Sequence, residues 1–120
     1  MLPSESKSVV INLHMTDKIV VFNTCATEEE AAKLAQVLVE KRVAACVTIV
    51  PGARSVYRWQ GAIESATEYL LVIKSSRELF DRLRAAIEEA HTYEVPEVLA
   101  LPVVAGGPGY LNWLEGQLGA

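Results

Sequence analysis

The stretch that decides the fold is AACVTIVPGARSVYRWQGAIESATEYLLVIKS, residues 44–75. It is rich in β-branched and aromatic residues, and Gln60-Gly61 near its middle has the composition of a tight hairpin turn. Pro51-Gly52 interrupts the first half. Because proline cannot donate a hydrogen bond to a sheet, that strand is predicted to lie at an edge or to bulge there. The stretch therefore predicts a long antiparallel hairpin.

A strand and a helix are predicted before the hairpin, and a helix, a strand and a last helix after it. Residues 18–24, KIVVFNT, form a short apolar run typical of a buried strand. Residues 27–42, TEEEAAKLAQVLVEKR, carry apolar side chains at helical spacing, and residues 76–90 repeat that spacing. Residues 95–104 are predicted to form a fourth strand, and residues 110–118 a short last helix.

Two hydroxyl–glutamate pairs mark the predicted helix starts. Thr27 with Glu30, and Ser75 with Glu78, have the spacing of a capping box. In this motif the hydroxyl accepts a hydrogen bond from an early helical N–H, while the glutamate reaches back to the N–H of the capping residue. The helices are therefore predicted to begin just after Thr27 and Ser75.

This order of elements predicts an α+β fold of the ferredoxin-like type, the split βαβ sandwich. Both long helices are expected on one face of the antiparallel sheet. The strands still carry Tyr57, Trp59, Leu70 and Val72 on the other face, and these side chains form too apolar a surface to leave in water. Self-association through that face and the strand edges is therefore predicted.

The length and composition are those of one globular domain. The chain has 120 residues, of which 51% are hydrophobic and 22% are charged. Residues 17–120 are predicted to form the domain. Residues 1–16 are interpreted as an N-terminal extension, for which disorder is one expectation. The natural chain starts at either Met1 or Met15, and the sequence favours neither.

Charge and cysteine content restrict the partners and the compartment. The chain has 11 basic and 15 acidic residues, a net charge of −4, so no binding of nucleic acid is expected. No apolar run approaches the ~20 residues that a membrane-spanning helix needs, and the first residues do not have the pattern of a signal peptide. Cys25 and Cys46 are too few for a disulfide framework, so they are interpreted as reduced thiols of a cytoplasmic protein.

Two motifs give the chain a resemblance to a known family. AACVTIVPGARSVYRWQG at residues 44–61 and YEVPE at residues 93–97 resemble the CutA family, the divalent-cation tolerance proteins. The similarity extends over residues 18–118. The resemblance implies a ferredoxin-like fold similar to that of the PII signalling proteins, a homotrimer, and a link to copper and other divalent cations.

The resemblance also implies a metal site. The family's proposed copper site uses a thiol at the end of the first strand and histidines just before the Tyr-x-x-Pro-Glu motif. The matching residues here are His91 and Cys25, with Cu(II) or another divalent cation as the implied ligand. Ala90 replaces the second family histidine, and an alternative alignment puts Asn23 at the thiol position.

His91 and Cys25 alone are too few ligands for a tight metal site, and His91 has a competing interpretation. Thiolate and imidazole suit copper or zinc, but tight binding needs three or four ligands, and Glu94 or Glu97 is expected to supply the remainder. The competing interpretation of His91 is a surface histidine that follows a helix C-terminus, where its protonated form suits the helix dipole.

A second set of residues is expected at a cleft between subunits of the trimer. It combines aromatic and charged side chains: Tyr57, Trp59, Glu68, Lys74, Tyr93 and Glu97. Such a combination suits a small-molecule pocket. Aromatic residues are also enriched in the cores of subunit interfaces, and Lys74 with Glu68 suits a plain ion pair, so trimer contact is the favoured interpretation.

Three functions are compatible with these features. The preferred one is non-enzymatic binding or tolerance of divalent cations by a homotrimer. The alternative is a PII-like sensor that binds a small ligand or anion in the intersubunit cleft, and the third is a purely structural trimer. An enzyme is not expected, because no residues indicate a catalytic triad and GGPGY at residues 106–110 lacks the Lys-Ser/Thr of a phosphate-binding loop.

Overall fold

The computed structural model describes residues 16–119, and the predicted extension at residues 1–16 lies outside them apart from Thr16. Along the described chain lie β1 (Lys18–Cys25), α1 (Glu28–Glu40), β2 (Cys46–Trp59), β3 (Ala62–Ser76), α2 (Phe80–Ala90), β4 (Leu99–Pro102) and α3 (Pro108–Gln117). A 3-10 turn, Arg77–Leu79, joins β3 to α2. No helix in this part of the chain is long and apolar enough to cross a membrane.

The strands of the described chain form one antiparallel sheet in the order β2-β3-β1-β4. This is the predicted α+β, ferredoxin-like arrangement. The hairpin turns at Gln60 and Gly61, both of which have a positive φ, 48° and 81°. β2 lies at an edge of the sheet, and its register with β3 shifts between Val50 and Ala53. Pro51 therefore lies both on an edge strand and in a bulge, as predicted.

The core lies between the sheet and the two long helices. β1 contributes alternate residues to it, since Ile19, Val21 and Cys25 are buried. The two helices contribute apolar side chains spaced three and four residues apart: Ala31, Leu34, Leu38, Leu83, Ala86 and Ile87. Burial of one Leu or Ile side chain contributes ~1.5–3 kcal/mol, so this cluster holds the ends of β1 and α2 at defined positions.

The two predicted caps have different outcomes. Thr27 does cap α1, since its Oγ1 accepts a hydrogen bond of 3.2 Å from the N–H of Glu30. The cap predicted at Ser75 is wrong, because β3 stays paired with β1 as far as Ser76. Ser75 is buried, and its Oγ donates a hydrogen bond of 2.6 Å to the carbonyl of Val43. Strand pairing and this tertiary contact prevail over the local capping motif.

The last strand and the last helix differ from their predicted bounds. β4 comprises only Leu99–Pro102, because the chain before it follows an irregular path. Asn23 anchors that path, since its Nδ2 donates a hydrogen bond of 2.8 Å to the carbonyl of Glu97. α3 begins at Pro108 rather than at residue 110, which agrees with the preference of proline for the first helical turn.

The sheet face opposite the long helices, which we call the second face, is partly covered by α3. Leu114 of α3 is buried, and Glu115 accepts a hydrogen bond from the ammonium of Lys18 on β1. On the remainder of this face the β4 residues Leu99 and Leu101 are exposed, Leu101 by 43%. The prediction of an apolar second face is thus correct, but the chain's own last helix covers part of it.

The distal half of the hairpin, residues 53–68, extends beyond the core, and we call it the arm. Within it, β2 and β3 pair only with each other, since the pairing of β1 with β3 ends at Cys25 and Tyr69. The described chain accordingly measures 56 × 33 × 23 Å. Trp59, close to the turn, is 59% exposed, and Tyr57 is exposed as well. The arm therefore carries exposed aromatic surface.

Candidate functional site

The candidate site forms where the end of β1 meets the end of α2. Cys25 is the last residue of β1, and His91 directly follows α2. The Sγ atom of Cys25 lies 3.7 Å from Nε2 of His91. The structure therefore brings together the two residues that the family resemblance singled out, although 65 residues separate them in the chain.

Both ring nitrogens of His91 have hydrogen-bond partners. Nε2 lies 2.7 Å from the carbonyl oxygen of Thr24, and Nδ1 lies 3.0 Å from the backbone N of Tyr93. Because the N–H of Tyr93 can only donate, Nδ1 must accept, and the ring proton sits on Nε2 and points to Thr24. His91 is therefore a neutral imidazole, and a metal ion must displace one of these two bonds to bind it.

Cys25 is a protonated thiol at neutral pH. The residue is only 1% exposed, and its Sγ lies 3.6 Å from Oδ1 of Asn23. Burial, together with the negative charges of Glu30 and Glu68, raises the pKa of Cys25 to about 11. A metal that binds here must expel the thiol proton, because the thiolate is the ligand.

The same features argue against Cys25 and His91 as a catalytic pair. A nucleophilic cysteine has a lowered pKa and lies beside an imidazole that can accept its proton. Here the pKa is raised, and Nε2 of His91, the nitrogen nearer the sulfur, already carries a proton. The pair therefore lacks the two properties that activate a thiol.

Further metal ligands do not gather at this pair. Within residues 16–119, no group of three His, Cys, Asp or Glu side chains is arranged to hold a metal ion. Glu94 and Glu97, which the sequence suggested as additional ligands, are both exposed. The backbone carbonyl of Glu97, rather than its carboxylate, contacts the site through Asn23. One chain thus offers two protein donors of the three or four that a tight site needs.

Two of the predicted cleft residues, Glu68 and Tyr93, are in direct contact. The hydroxyl of Tyr93 donates to Oε2 of Glu68, and Ser55 Oγ donates to Oε1 at 2.6 Å. Glu68 is only 6% exposed, so both carboxylate oxygens are satisfied by hydroxyl groups in a buried setting. Burial and the hydrogen bond to Glu68 raise the pKa of the Tyr93 phenol well above its ordinary value. This contact joins the loop after α2 to the base of the arm.

The other predicted cleft residues do not join this contact within one chain. Tyr57 and Trp59 lie on the arm and are exposed. Lys74 donates a hydrogen bond of 2.9 Å to Oγ1 of Thr48, so the ion pair considered between Lys74 and Glu68 does not form. The physical reason is that Glu68 lies at the base of the arm, while Lys74 pairs with β1 farther along β3.

A cavity beside the Cys25–His91 pair was not predicted. It has a volume of about 250 Å³ and lies between α1 and the end of α2. Its polar lining includes Glu30 and Lys33 from α1, and Leu34 with Val37 forms an apolar wall. These four residues have i, i+3, i+4 and i+7 spacing, which is the signal that places them on one stripe of the helix. The sequence assigned Glu30 only to helix capping.

Comparison with known proteins places the chain in a family. The sequence profile of the CutA1 divalent ion tolerance protein matches residues 19–117. The chain belongs to the CutA1 family. The match includes both long helices, all of the sheet except Lys18, and the Cys25–His91 pair, so the family assignment rests on nearly the complete domain.

Relatives in three organisms illustrate the breadth of the CutA1 family. The divalent-cation tolerance protein CutA of Thermus thermophilus is 45% identical over 100 residues, which cover 83% of this chain and 97% of that protein. The solved Thermus structure gives a TM-score of 0.83 at 44% identity, covering 85% of this chain and 99% of that one. The chloroplastic CutA protein of Arabidopsis thaliana is 45% identical over 97 residues, 81% of this chain, but this chain spans only 53% of that protein. The structure of the periplasmic divalent cation tolerance protein CutA of Archaeoglobus fulgidus gives a TM-score of 0.81 at 34% identity, covering 83% and 97% of the two chains.

Proposed function

We propose that this protein confers tolerance to divalent cations by binding them, and that it does so without catalysing a reaction. The observation that carries the proposal is the 3.7 Å approach of Cys25 Sγ to His91 Nε2. Relatives named for divalent-cation tolerance, at 45% identity, support it. A soft thiolate beside an imidazole favours copper or zinc over magnesium or calcium, so Cu(II) is the first cation to test.

The chain's own residues suggest how such a cation would be received. Cys25 would bind as a thiolate after loss of its proton. His91 would bind through Nδ1 once that nitrogen releases the N–H of Tyr93, or through Nε2 once the ring proton moves from Nε2 to Nδ1. The thiol releases one proton on binding, whereas the neutral imidazole keeps its ring proton, so affinity should rise with pH because of Cys25. Water or a group from another subunit would supply the remaining ligands.

A non-enzymatic role is supported by the same chemistry. The protonated thiol of Cys25 is a poor nucleophile, and the proton on Nε2 of His91 prevents that nitrogen from acting as the general base. Binding at a pair of soft donors needs neither property. We therefore infer that the Cys25–His91 pair serves as a ligand site.

We infer further that the working form is a homotrimer. The support is the apolar second face, where Leu99 and Leu101 are exposed beside the partly exposed Phe22. The exposed aromatics of the arm add to the apolar surface that a partner subunit would cover. Exposed apolar surface of this extent on a monomer is typical of an interface.

The second candidate function is a PII-like sensor whose intersubunit cleft binds a small ligand or anion. The exposed Tyr57 and Trp59 favour it, because aromatic rings on a free arm can close over a ligand in a trimer. Loss of His91 would leave such a sensor intact, whereas loss of Trp59 would impair it. A purely structural trimer would bind no ligand, so neither the loss of His91 nor the loss of Trp59 would change ligand binding.

We place the protein in the cytoplasm. Both Cys25 and Cys46 are free thiols, which agrees with a reducing compartment. Two relatives are named for other compartments, the chloroplast in Arabidopsis thaliana and the periplasm in Archaeoglobus fulgidus. Fractionation of the native host is the direct test.

Calorimetric titration with Cu(II) and Zn(II) tests the proposed function. We expect saturable binding at a simple ratio per chain, abolished in His91→Ala and in Cys25→Ala. His14→Ala and Cys46→Ala are the matched controls, since they remove the chain's other histidine and other cysteine. Binding that is equally strong in all four variants, or no saturable binding by the wild type, would contradict the proposal.

A further inference from the structure

The cavity between α1 and the end of α2 carries two opposite charges that do not neutralise each other. Glu30 and Lys33 both line it, one helical turn apart on α1. At this spacing a glutamate and a lysine commonly pair. Among residues 16–119 the structure has three ion pairs, and neither Glu30 nor Lys33 takes part in any of them.

The carboxylate of Glu30 is also short of a donor. Its Oε1 is buried, and no group of the described chain donates a hydrogen bond to it. The glutamate of a capping box would accept from the N–H of Thr27, but here only the other half of that motif forms, from the N–H of Glu30 to Thr27 Oγ1. A buried carboxylate oxygen without a donor is unfavourable, so the Glu30 carboxylate gains a hydrogen bond if its side chain rotates and presents this oxygen to a donor in the cavity.

The rest of the lining defines the shape of that ligand. Leu34 is buried and Val37 partly buried, which gives the cavity an apolar wall, while Lys33 and Thr92 are exposed at its mouth. The volume of about 250 Å³ lies just below the ~300–1,000 Å³ of pockets for drug-sized ligands. The cavity therefore suits a molecule of amino-acid size with a short aliphatic part.

We propose that this cavity binds a small zwitterion of the aliphatic α-amino-acid class. The ligand's ammonium group pairs with the carboxylate of Glu30, which rotates toward the cavity to meet it. The ligand's carboxylate pairs with the ammonium of Lys33, and its side chain packs on Leu34 and Val37. All of these residues belong to one chain, so the site needs no group from a partner subunit. Because the partly exposed His91 belongs to the same lining, beside the buried Cys25, an occupied cavity also shields the imidazole from solvent.

The test is a calorimetric titration of the full chain, treated with a chelator to remove metal, with three related probes. L-valine carries both charges, isobutylamine only the ammonium, and isovalerate only the carboxylate, on the same aliphatic skeleton. We expect L-valine to bind saturably at one molecule per chain, and each singly charged probe to bind at least about tenfold more weakly, since each lacks one charge-assisted hydrogen bond.

Variants locate the site. Glu30→Gln and Lys33→Gln should each weaken L-valine binding by about tenfold or more, because each removes one of the two charges. Glu29→Gln and Lys41→Gln, at exposed positions on and next to the same helix, are the matched controls and should bind L-valine as the wild type does. Circular dichroism confirms that each variant is folded.

A second readout does not depend on the variants. In methyl NMR spectra of the wild type, L-valine should shift the resonances of Leu34 and Val37 and leave those of Leu83, in the core on α2, unchanged. The proposal is overturned if L-valine shows no saturable binding up to ~10 mM, the weak end of specific affinity. Equal binding of all three probes, or full binding by Glu30→Gln, also overturns it. Because metal is absent throughout, none of these outcomes bears on the proposed cation site.

Discussion

The backbone N–H of Tyr93 donates a hydrogen bond of 3.0 Å to Nδ1 of His91, and this bond determines the tautomer of the imidazole. Because Nδ1 accepts, the proton resides on Nε2 and is directed at the carbonyl of Thr24. The phenol of Tyr93 also donates to the buried carboxylate of Glu68. One residue thus orients the candidate metal ligand and fastens the loop after α2 to the base of the arm.

The first prediction concerns that phenol. Tyr93→Phe should lower the free energy of unfolding by about 1–3 kcal/mol, because Glu68 stays buried but loses one of its two hydroxyl donors. Urea denaturation measures the change. Tyr57→Phe removes a phenol from an exposed position on the arm and should change the stability by less than ~0.5 kcal/mol. An equal decrease in the free energy of unfolding in the two variants would show that the contact between Tyr93 and Glu68 does not stabilise the fold.

The second prediction is a loss of stability in alkaline solution. The pKa of Cys25 is raised from its ordinary 9.0 to about 11 in the folded protein. As the pH rises between these values, the unfolded thiol loses its proton while the folded one keeps it, so the unfolded state binds fewer protons. The free energy of unfolding should therefore fall, at most by roughly 1.4 kcal/mol per pH unit from this group.

Denaturation curves between pH ~8 and pH ~11 measure this slope. Cys25→Val should reduce the slope, because it removes the titrating thiol from the core. Val21→Ala, a destabilising change in the same buried face of β1, serves as the control and should lower stability at every pH without altering the slope. Tyr93 contributes to the slope in the same direction, so the wild type must be compared with each variant. An unchanged slope in Cys25→Val would refute the prediction.

The third prediction tests the second face. If that face packs against other subunits, Leu101→Asp should lower the mass measured by light scattering from three chains toward one, because it buries a charge in an apolar interface. Val39→Asp is the control, since Val39 is 41% exposed and Leu101 43%, but Val39 lies on α1, on the opposite side of the sheet. A wild type with the mass of a single chain would contradict the trimer, and a stable trimer in Leu101→Asp would place the interface elsewhere.

The fourth prediction separates the observed role of Ser75 from a helix cap. Ser75→Ala should destabilise the fold by about 1–3 kcal/mol, because the buried carbonyl of Val43 loses its hydroxyl donor. Ser65→Ala, at an exposed position in the same strand, should have an effect of less than ~0.5 kcal/mol. Amide exchange provides a second readout: protection should fall around Val43 and remain unchanged at the start of α2.

Much of the fold was predictable because it depends on local chemistry. The hairpin at Gln60-Gly61 requires positive φ, which Gly61 adopts without strain, and the strands on either side carry the β-branched and aromatic residues that favour sheets. The cap at Thr27 needs only the N–H of a residue three positions along the chain. Such interactions span a few residues, so a sequence pattern is enough to indicate them.

The site was predictable in part. The family resemblance paired Cys25 with His91, and the structure places them in contact. The resemblance did not reveal that both ring nitrogens of His91 have hydrogen-bond partners. These partners come from separate segments, the N–H of Tyr93 from the loop after α2 and the carbonyl of Thr24 from β1. Nor did it reveal the role of Glu30, whose carboxylate lines a cavity that exists only once α1 packs beside the end of α2.

By itself, the sequence determined the order and approximate bounds of the strands and helices, the bulge at Pro51 and the apolar character of the second face, because these follow from periodicity and backbone geometry. Only the tertiary structure decided that Ser75 extends a strand instead of capping a helix, and that Cys25 keeps its proton. The physical reason is that burial and long-range pairing set the energies of these groups. The carbonyl of Val43 becomes a neighbour of Ser75, and the carboxylate of Glu68 a neighbour of Cys25, only when distant segments pack together.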